Sequence, residues 1–384
     1  MVSGVTLMRM AKSYIRVLMI LLPIVPALPI MAFANRTLGV VSAAPRDPIV
    51  TSAPDLKATQ AQSLVAKAKR DASAGHVAVA FDDLSDAIID DPELPQAFFL
   101  RGVLLESTGK WEKALPDLSR AISLNPNFEP AYVIRGQTEF ELGLSDVSLR
   151  PKALADEAKA ISLNPADNRA YMFHGLTCGL QLDWKCDIVD MTTVIKNVQP
   201  LPLTPQRRRD LVAAYDSRSD IERRLNEYQP AIADATEAIA LSPTDILAYE
   251  NRSHALDAEG RYAKAIADAT VAYKLHDPSS LNDRCWYKMK EGNLHGALLD
   301  CNTLIEQFPL NGDFRDSRGT VFLKMKDFRA AQNDFETALA FRQDAHSYYG
   351  VSLAFEGEGN KIAAKVARDE ALKRDPNVAS TFYR

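Results

Sequence analysis

The sequence predicts an all-α chain built from stacked helix pairs, and three observations carry that expectation. First, one skeleton recurs: an aromatic residue, an Ala three later, an Asp three after that and an Ala four after that. It stands in "WEKALPDLSRAISLNP" (Trp111–Pro126), "YAKAIADATVAYKL" (262–275) and "FRAAQNDFETALA" (328–340). Second, the recurrence follows a period of 34 residues across most of the chain. Third, apolar residues within each unit fall at three- and four-residue spacing, broken at mid-unit by Gly or a polar residue and closed by Pro.

Taken in order, the units start at Ala61, Pro95, Glu129, Asn168, Val212, Ile246, Pro278, Gly312 and about Gln343, nine across 61–378. Counting places from the first residue, the unit from Pro95 carries Phe98 at place 4, Gly102 at place 8 and Trp111 at place 17. Ala114, Leu118, Ala121 and Pro126 follow at places 20, 24, 27 and 32. Small residues at places 8 and 20 let two helices approach closely, and large ones at 4, 17 and 24 fill the space around them. A single helix pair cannot bury its apolar surface alone, so the units must stack. The pattern departs at "LSDVSLR" (144–150), about five extra residues, and at "KNVQPLPLTPQ" (196–206), whose prolines stop helical stacking. The expected arrays are therefore 61–195 and 206–378, with 196–206 as a Pro-rich linker and 379–384 as a tail.

The N-terminus is read differently. Arg9, Lys12 and Arg16 precede the uncharged apolar run "VLMILLPIVPALPIMAFA" (17–34), which ends in small residues. That is a secretory signal pattern over 1–34, with cleavage expected after Ala34. The alternative is a membrane anchor, since the run is just long enough to span. Residues 35–58, rich in Ala, Pro, Ser and Thr, read as a flexible linker. The expected location is secreted or periplasmic after signal cleavage, with no further membrane span, or membrane-anchored if uncleaved. A net charge of −5 and the lack of a dense Lys/Arg run argue against nucleic acid as partner.

Place 23 is Asp83, Asp117, Asp156, Asp190, Asp234, Asp268, Asp300 and Asp334 in the first eight units. Place 7 is basic in seven of them (Lys67, Arg101, Arg135, Arg218, Arg252, Arg284, Arg318) and His174 in the other. The ninth unit has Tyr349 and Ala367 instead, so the two are lost together. Either these charges grip a ligand, or they pair between helices within or across units. Opposite signs would cancel toward a ligand, and joint loss favours pairing within a unit, as for Arg101 with Asp117, Arg252 with Asp268 and Arg318 with Asp334.

Four cysteines allow three connectivities. Cys178 and Cys186 flank the turn of one unit, and Cys285 and Cys301 take places 8 and 24 of another. Each pair is expected either as a disulfide stapling its helix pair or as two buried thiols. His174, Cys178 and Cys186 match no standard zinc spacing and lack a fourth ligand, so no metal is expected. No cofactor is expected, and no catalytic constellation is present: no G-x-S-x-G, no phosphate-binding Gly loop, no H-E-x-x-H.

The 34-residue code resembles the tetratricopeptide repeat (TPR) family over nearly all of the chain after the linker. The resemblance implies a TPR solenoid, a right-handed superhelix of about nine helix-turn-helix repeats, whose first helices line a concave groove. It implies a non-enzymatic scaffold that binds a protein or peptide. In that family, contacts come from about places 2, 5, 9 and 12 of each first helix. Carried over, the groove would be lined by Phe99, Val103, Val133, Gln137, Phe140, Met172 and Leu176 in the first half. In the second half it would be lined by Asp216, Asp220, Glu250, His254, Trp286 and Asp316. The first set is apolar and the second mostly acidic, which suits a partner segment with apolar and basic parts, unless the apolar residues merely pack between units. The Lys and Asn residues with which one subgroup grips a chaperone's terminal carboxylate are absent. Two other roles fit the same chain: a membrane-tethered assembly factor of the cell envelope, and a noncatalytic glycan or small-ligand binder using Phe99, Phe140 or Trp286.

Overall fold

A computed structural model describes residues 53–383; the expected signal segment and most of the expected linker lie outside the described residues. The described chain forms nineteen α-helices and one 3-10 turn, without strands. It divides into two compact units, one reaching to Ile221 and the other running from Glu222. The first unit holds α1 (Ala53–Ser73), α2 (Val77–Asp90), α3 (Pro95–Ser107), α4 (Trp111–Leu124) and α5 (Glu129–Gly143). The 3-10 turn (Val147–Leu149), α6 (Arg150–Leu163), α7 (Asn168–Leu180) and α8 (Trp184–Val198) follow, then most of α9 (Pro205–Arg224). The second unit holds α10 (Tyr228–Leu241), α11 (Ile246–Ala258), α12 (Tyr262–Lys274), α13 (Ser279–Glu291) and α14 (Leu294–Gln307). It ends with α15 (Gly312–Met325), α16 (Phe328–Phe341), α17 (Ala345–Gly357), α18 (Lys361–Arg374) and the short α19 (Val378–Thr381).

Within each unit, consecutive helices pack as hairpins and each hairpin packs on the next, an all-α TPR-like solenoid. The repeat code sets the boundaries. Pro95, Glu129, Asn168, Ile246 and Gly312 are first residues of helices, and so are the place-17 aromatics Trp111, Trp184, Tyr228, Tyr262 and Phe328. In the unit from Pro95 nothing larger than Gly fits at place 8: a Cβ on Gly102 would lie 2.8 Å from Leu118 Cγ, and Leu118 and Ala114 are completely buried there. The turn inside most hairpins uses one left-handed residue, usually at place 15; the unit from Glu129 turns through its 3-10 segment instead. Gly fills it at 75, 109, 260, 292 and 359, while Leu182, Asn226, His276 and Lys326 are non-Gly residues with positive φ in the described chain. All of these except Gly359 and His276 stand at place 15 of their units.

Three segments depart from expectation. Helix α1 runs through residues 53–58, which composition assigned to the flexible linker. Ala61, Val65, Ala68 and Ala72 of the same helix are buried in the first core cluster, and that burial holds the helix in place. The prolines of 196–206 do separate α8 from α9, but the compact units divide later, after Ile221. The tail 379–384 carries part of α19, and Phe382 is buried in the C-terminal core. Its ring stacks on His346 at 4.2 Å and meets Tyr349 at 5.3 Å.

Candidate functional site

The residues that recur most tie repeats together. Arg101 Nε and Nη2 donate to the two carboxylate oxygens of Asp117 at 2.7 and 2.8 Å. The same two-pronged contact joins Arg135 to Asp156, Arg252 to Asp268, Arg284 to Asp300 and Arg318 to Asp334. Lys67 contacts Asp83 at 2.7 Å, and His174 Nδ1 lies 2.7 Å from Asp190. The third prong was missed by sequence reasoning. Arg101 Nη1 donates to Ser85, Arg135 to Ser119, Arg252 to Thr236, Arg284 to Thr270 and Arg318 to Asn302. Those acceptors stand at place 25 of the preceding unit, where a hydroxyl or amide recurs; that recurrence was the available signal. Each guanidinium therefore spans its own helix pair and the neighbour, and the choice between pairing within and across units dissolves.

The expected groove residues divide sharply. In the first unit Phe99, Val103, Val133, Met172 and Leu176 are buried, and Gln137 and Phe140 are fully so. Neighbouring first helices close over them. Gln137 Nε2 donates to Glu106 at 2.8 Å, Arg169 bonds Gln137, and the Phe140 and Phe173 rings meet edge to face at 5.8 Å. Asp216 is 0% and Asp220 6% exposed, so neither is the acidic contact surface expected of it. Places 5 and 9 in this half serve packing between repeats. Phe99 alone of the set also lines an open cleft, of about 400 Å³, with Phe128, Gln96, Glu129 and Asn164.

In the second unit Glu250, His254, Trp286 and Asp316 are only half-buried. They lie on the first helices α11, α13 and α15 and are cross-linked to neighbouring repeats by polar bonds. His254 Nε2 is 3.2 Å from Asp283, Lys290 donates to Asp257 at 2.7 Å, and Trp286 Nε1 donates to Ser317 at 3.0 Å. Ser347 donates to Asp316 at 2.7 Å, and His346 Nδ1 is 2.5 Å from the other oxygen of that carboxylate. Burial pulls the His346 pKa down, but the hydrogen bond and charge of Asp316 outweigh it and hold it above the ordinary value. Here the face is polar, acidic and aromatic, and its side chains keep surface. Of the aromatics considered for a glycan, Phe140 is sealed, Phe99 is buried in the first unit and Trp286 is half-buried in the second.

The first unit concentrates its acids in and around α5. Burial, then the hydrogen bond and charge of Asp167, pushes Glu129 up to about 8. Burial, reinforced by Asp156, pushes Glu139 to about 7, and burial with the charge of Glu106 does the same to Glu141.

Both cysteine pairs are bonded: Cys178 to Cys186 and Cys285 to Cys301, each within one helix pair. Around the first pair the structure supplies what the sequence reading lacked. His174, Cys178, Cys186 and Asp190 bring one donor atom each within 4.8 Å of one another. In the sequence Asp190 stands out only as the place-23 partner of place 7, and that role hides it as a fourth donor.

No transmembrane-length apolar helix occurs among the described residues. No curated protein sequence matches the chain. Among solved structures, a tetratricopeptide repeat protein from Parabacteroides merdae is similar at 17% identity, covering 82% of this chain and 99% of its own, with a TM-score of 0.45. MamA from Desulfovibrio magneticus RS-1 is similar at 17% identity over 48% of this chain and 97% of its own, TM-score 0.41. A human IFIT1 dimer is similar at 15% identity over 83% and 86%, TM-score 0.43. The helix-pair geometry, not these likenesses, establishes the fold. Residues 95–128, the α3–α4 unit with its Arg101–Asp117 clasp, match the tetratricopeptide repeat family model.

Proposed function

We propose that the chain is a non-enzymatic scaffold that holds a protein partner on the first-helix face of its second unit. One observation carries this reading. Glu250, Asp257, Asp283 and Asp316 share a half-buried face with Trp286, whereas the matching places of the first unit from Phe99 to Asp220 are sealed. The occupant that suits such a face is a segment with basic residues beside an apolar one. Trp286 supplies the apolar anchor, and the carboxylates attract and orient the basic residues. Lys290 and His346 offset only part of that negative charge. Export belongs to the same proposal and rests on residues 1–34; the N-terminal sequence of the protein isolated from its cell decides between cleavage and anchoring.

The test is fluorescence anisotropy of a labelled peptide that alternates Lys/Arg with Leu/Trp. Saturable binding that weakens with added salt, and at least about tenfold in a Glu250→Lys/Asp283→Lys chain, is expected. Unchanged affinity in that variant removes this face from the function.

A further inference from the structure

One of the eight clasped units departs from the common code at place 7 and carries a cysteine on each of its helices. In the unit from Asn168, place 7 is His174 instead of Arg or Lys, and Cys178 and Cys186 stand at places 11 and 19, while Asp190 is kept at place 23. Each change brings in a side chain that ligates metals. His174 and Cys178 are four residues apart on α7, and Cys186 and Asp190 are four apart on α8, so each helix presents one pair on one face. The hairpin turns these two faces toward each other. His174 Nδ1 is 2.7 Å from Asp190 Oδ2, and Cys186 Sγ is 3.7 Å from that nitrogen and 3.8 Å from that oxygen. Tetrahedral zinc, with bonds of about 2.0–2.3 Å, sets its ligand atoms roughly 3.3–3.8 Å apart. Cys178 and Asp190 are buried, and His174 and Cys186 are half-buried, so the cluster is enclosed yet reachable. The other cysteine pair makes a contrast. Its neighbour Asp300 is already held by both Arg284 and Lys288, two cations that would repel a metal.

We propose that His174, Cys178, Cys186 and Asp190 form a redox-gated zinc site. With the Cys178–Cys186 bond formed the site is closed, because both sulfurs are committed to each other. A dithiol reductant opens it. The reductant's own disulfide forms as the Cys178–Cys186 bond breaks, and two electrons and two protons pass to give two thiols. Zn²⁺ then forms two Zn–S bonds, both thiol protons leave to solvent, and His174 and Asp190 complete the tetrahedron without change in the oxidation state of zinc. The α7–α8 hairpin is thereby stapled in either environment, by sulfur–sulfur when oxidised and by metal when reduced.

The full chain, oxidised or reduced under anaerobic conditions, is titrated with Zn²⁺ against a chromophoric chelator and with Co²⁺ as a spectroscopic probe. The expected result is one ion per reduced chain, with the intense visible and charge-transfer bands of tetrahedral thiolate cobalt, and loss of the site in the oxidised chain. His174→Arg restores the clasp of the other repeats and removes a ligand, so it should fold and lose the site. Cys285→Ser/Cys301→Ser should keep it. Absence of a stoichiometric site in the reduced chain overturns the proposal, and so does a site that survives His174→Arg unchanged. If the double serine variant fails to fold, shown by lost helical circular dichroism, the His174→Arg chain alone decides.

Discussion

The two compact units are written in one repeat code and use it to different ends. Both clasp place 7 to place 23, and both close their hairpins over small residues. At places 5 and 9 they part. In the first unit these places are buried from Phe99 to Asp220, down to Gln137 and Asp216, with Lys69 of the first repeat half-buried. In the second unit Glu250, His254, Trp286 and Asp316 keep surface, although Thr320 at place 9 is buried, and His254 and Trp286 are tied to neighbouring repeats by polar bonds and ring contacts. The lesson is that the repeated residues build the frame, and that the same groove places become core or contact according to what the neighbouring repeat brings. A sealed row stiffens the array; a half-open polar row leaves side chains for a partner.

The largest effect that can break this comparison lies in the clasps. The Asp334 side chain is 1% exposed and that of Asp117 is 11%. Truncating Asp334 leaves Arg318 and Arg315 beside it without their carboxylate in a closed site, so Asp334→Ala should cost about 3–4 kcal/mol. Asp117→Ala, closer to solvent, should cost about 1–2 kcal/mol. Hydrogen exchange of α15–α16 and of α3–α4 reads each loss in its own hairpin, since a repeat array opens locally. Equal losses in the two hairpins would mean that burial does not set the strength of the clasp.

A second effect sharpens the contrast by pH. Glu129, Glu139 and Glu141 bind their protons more tightly folded than unfolded, where a Glu titrates near about 4.3. Their contribution is therefore complete below that value and is lost as pH rises through about 7 to 8. Glu129→Gln should stabilise the first unit at pH 8.5 and leave it unchanged or weaker at pH 4.5, measured by thermal unfolding at both. A stabilisation that is the same at both pH values would show that Glu129 does not titrate in this range.

The smallest effect concerns the hairpin turns. Leu182 holds φ +65° where Gly109 and Gly260 hold φ near +70°. A side chain in this region costs roughly 1–2 kcal/mol, partly offset by the greater freedom of Gly when unfolded. Leu182→Gly should therefore stabilise the α7–α8 hairpin by a few tenths to about 1 kcal/mol, read by exchange protection of α7 and α8.

Most of the fold was legible because each helix pair is local: Trp111, Ala114 and Leu118 announce a boundary and a core within one unit. The place-23 Asp was legible as a clasp partner for the same reason. The rest depends on neighbours. Gln137 looks like a surface residue until adjacent first helices close over it, and Asp216 is fully buried despite its charge. Ser119 and Thr236 carry no strong signal alone, and become acceptors only when the next repeat's Arg arrives. Asp190 was visible as a clasp residue, and that reading concealed its closeness to two sulfurs. Phe382, in a segment too short to show periodicity, is core because His346 and Tyr349 leave room for it.

The central claim is that frame and contact reside in different residues, and one side-by-side measurement tests it. Affinity for the basic, apolar peptide and unfolding stability are measured for two chains, Asp117→Ala and Glu250→Lys/Asp283→Lys. Asp117→Ala is expected to lose stability with its affinity intact, and Glu250→Lys/Asp283→Lys to lose at least about tenfold in affinity. A clasp variant that loses affinity while its stability holds would contradict it.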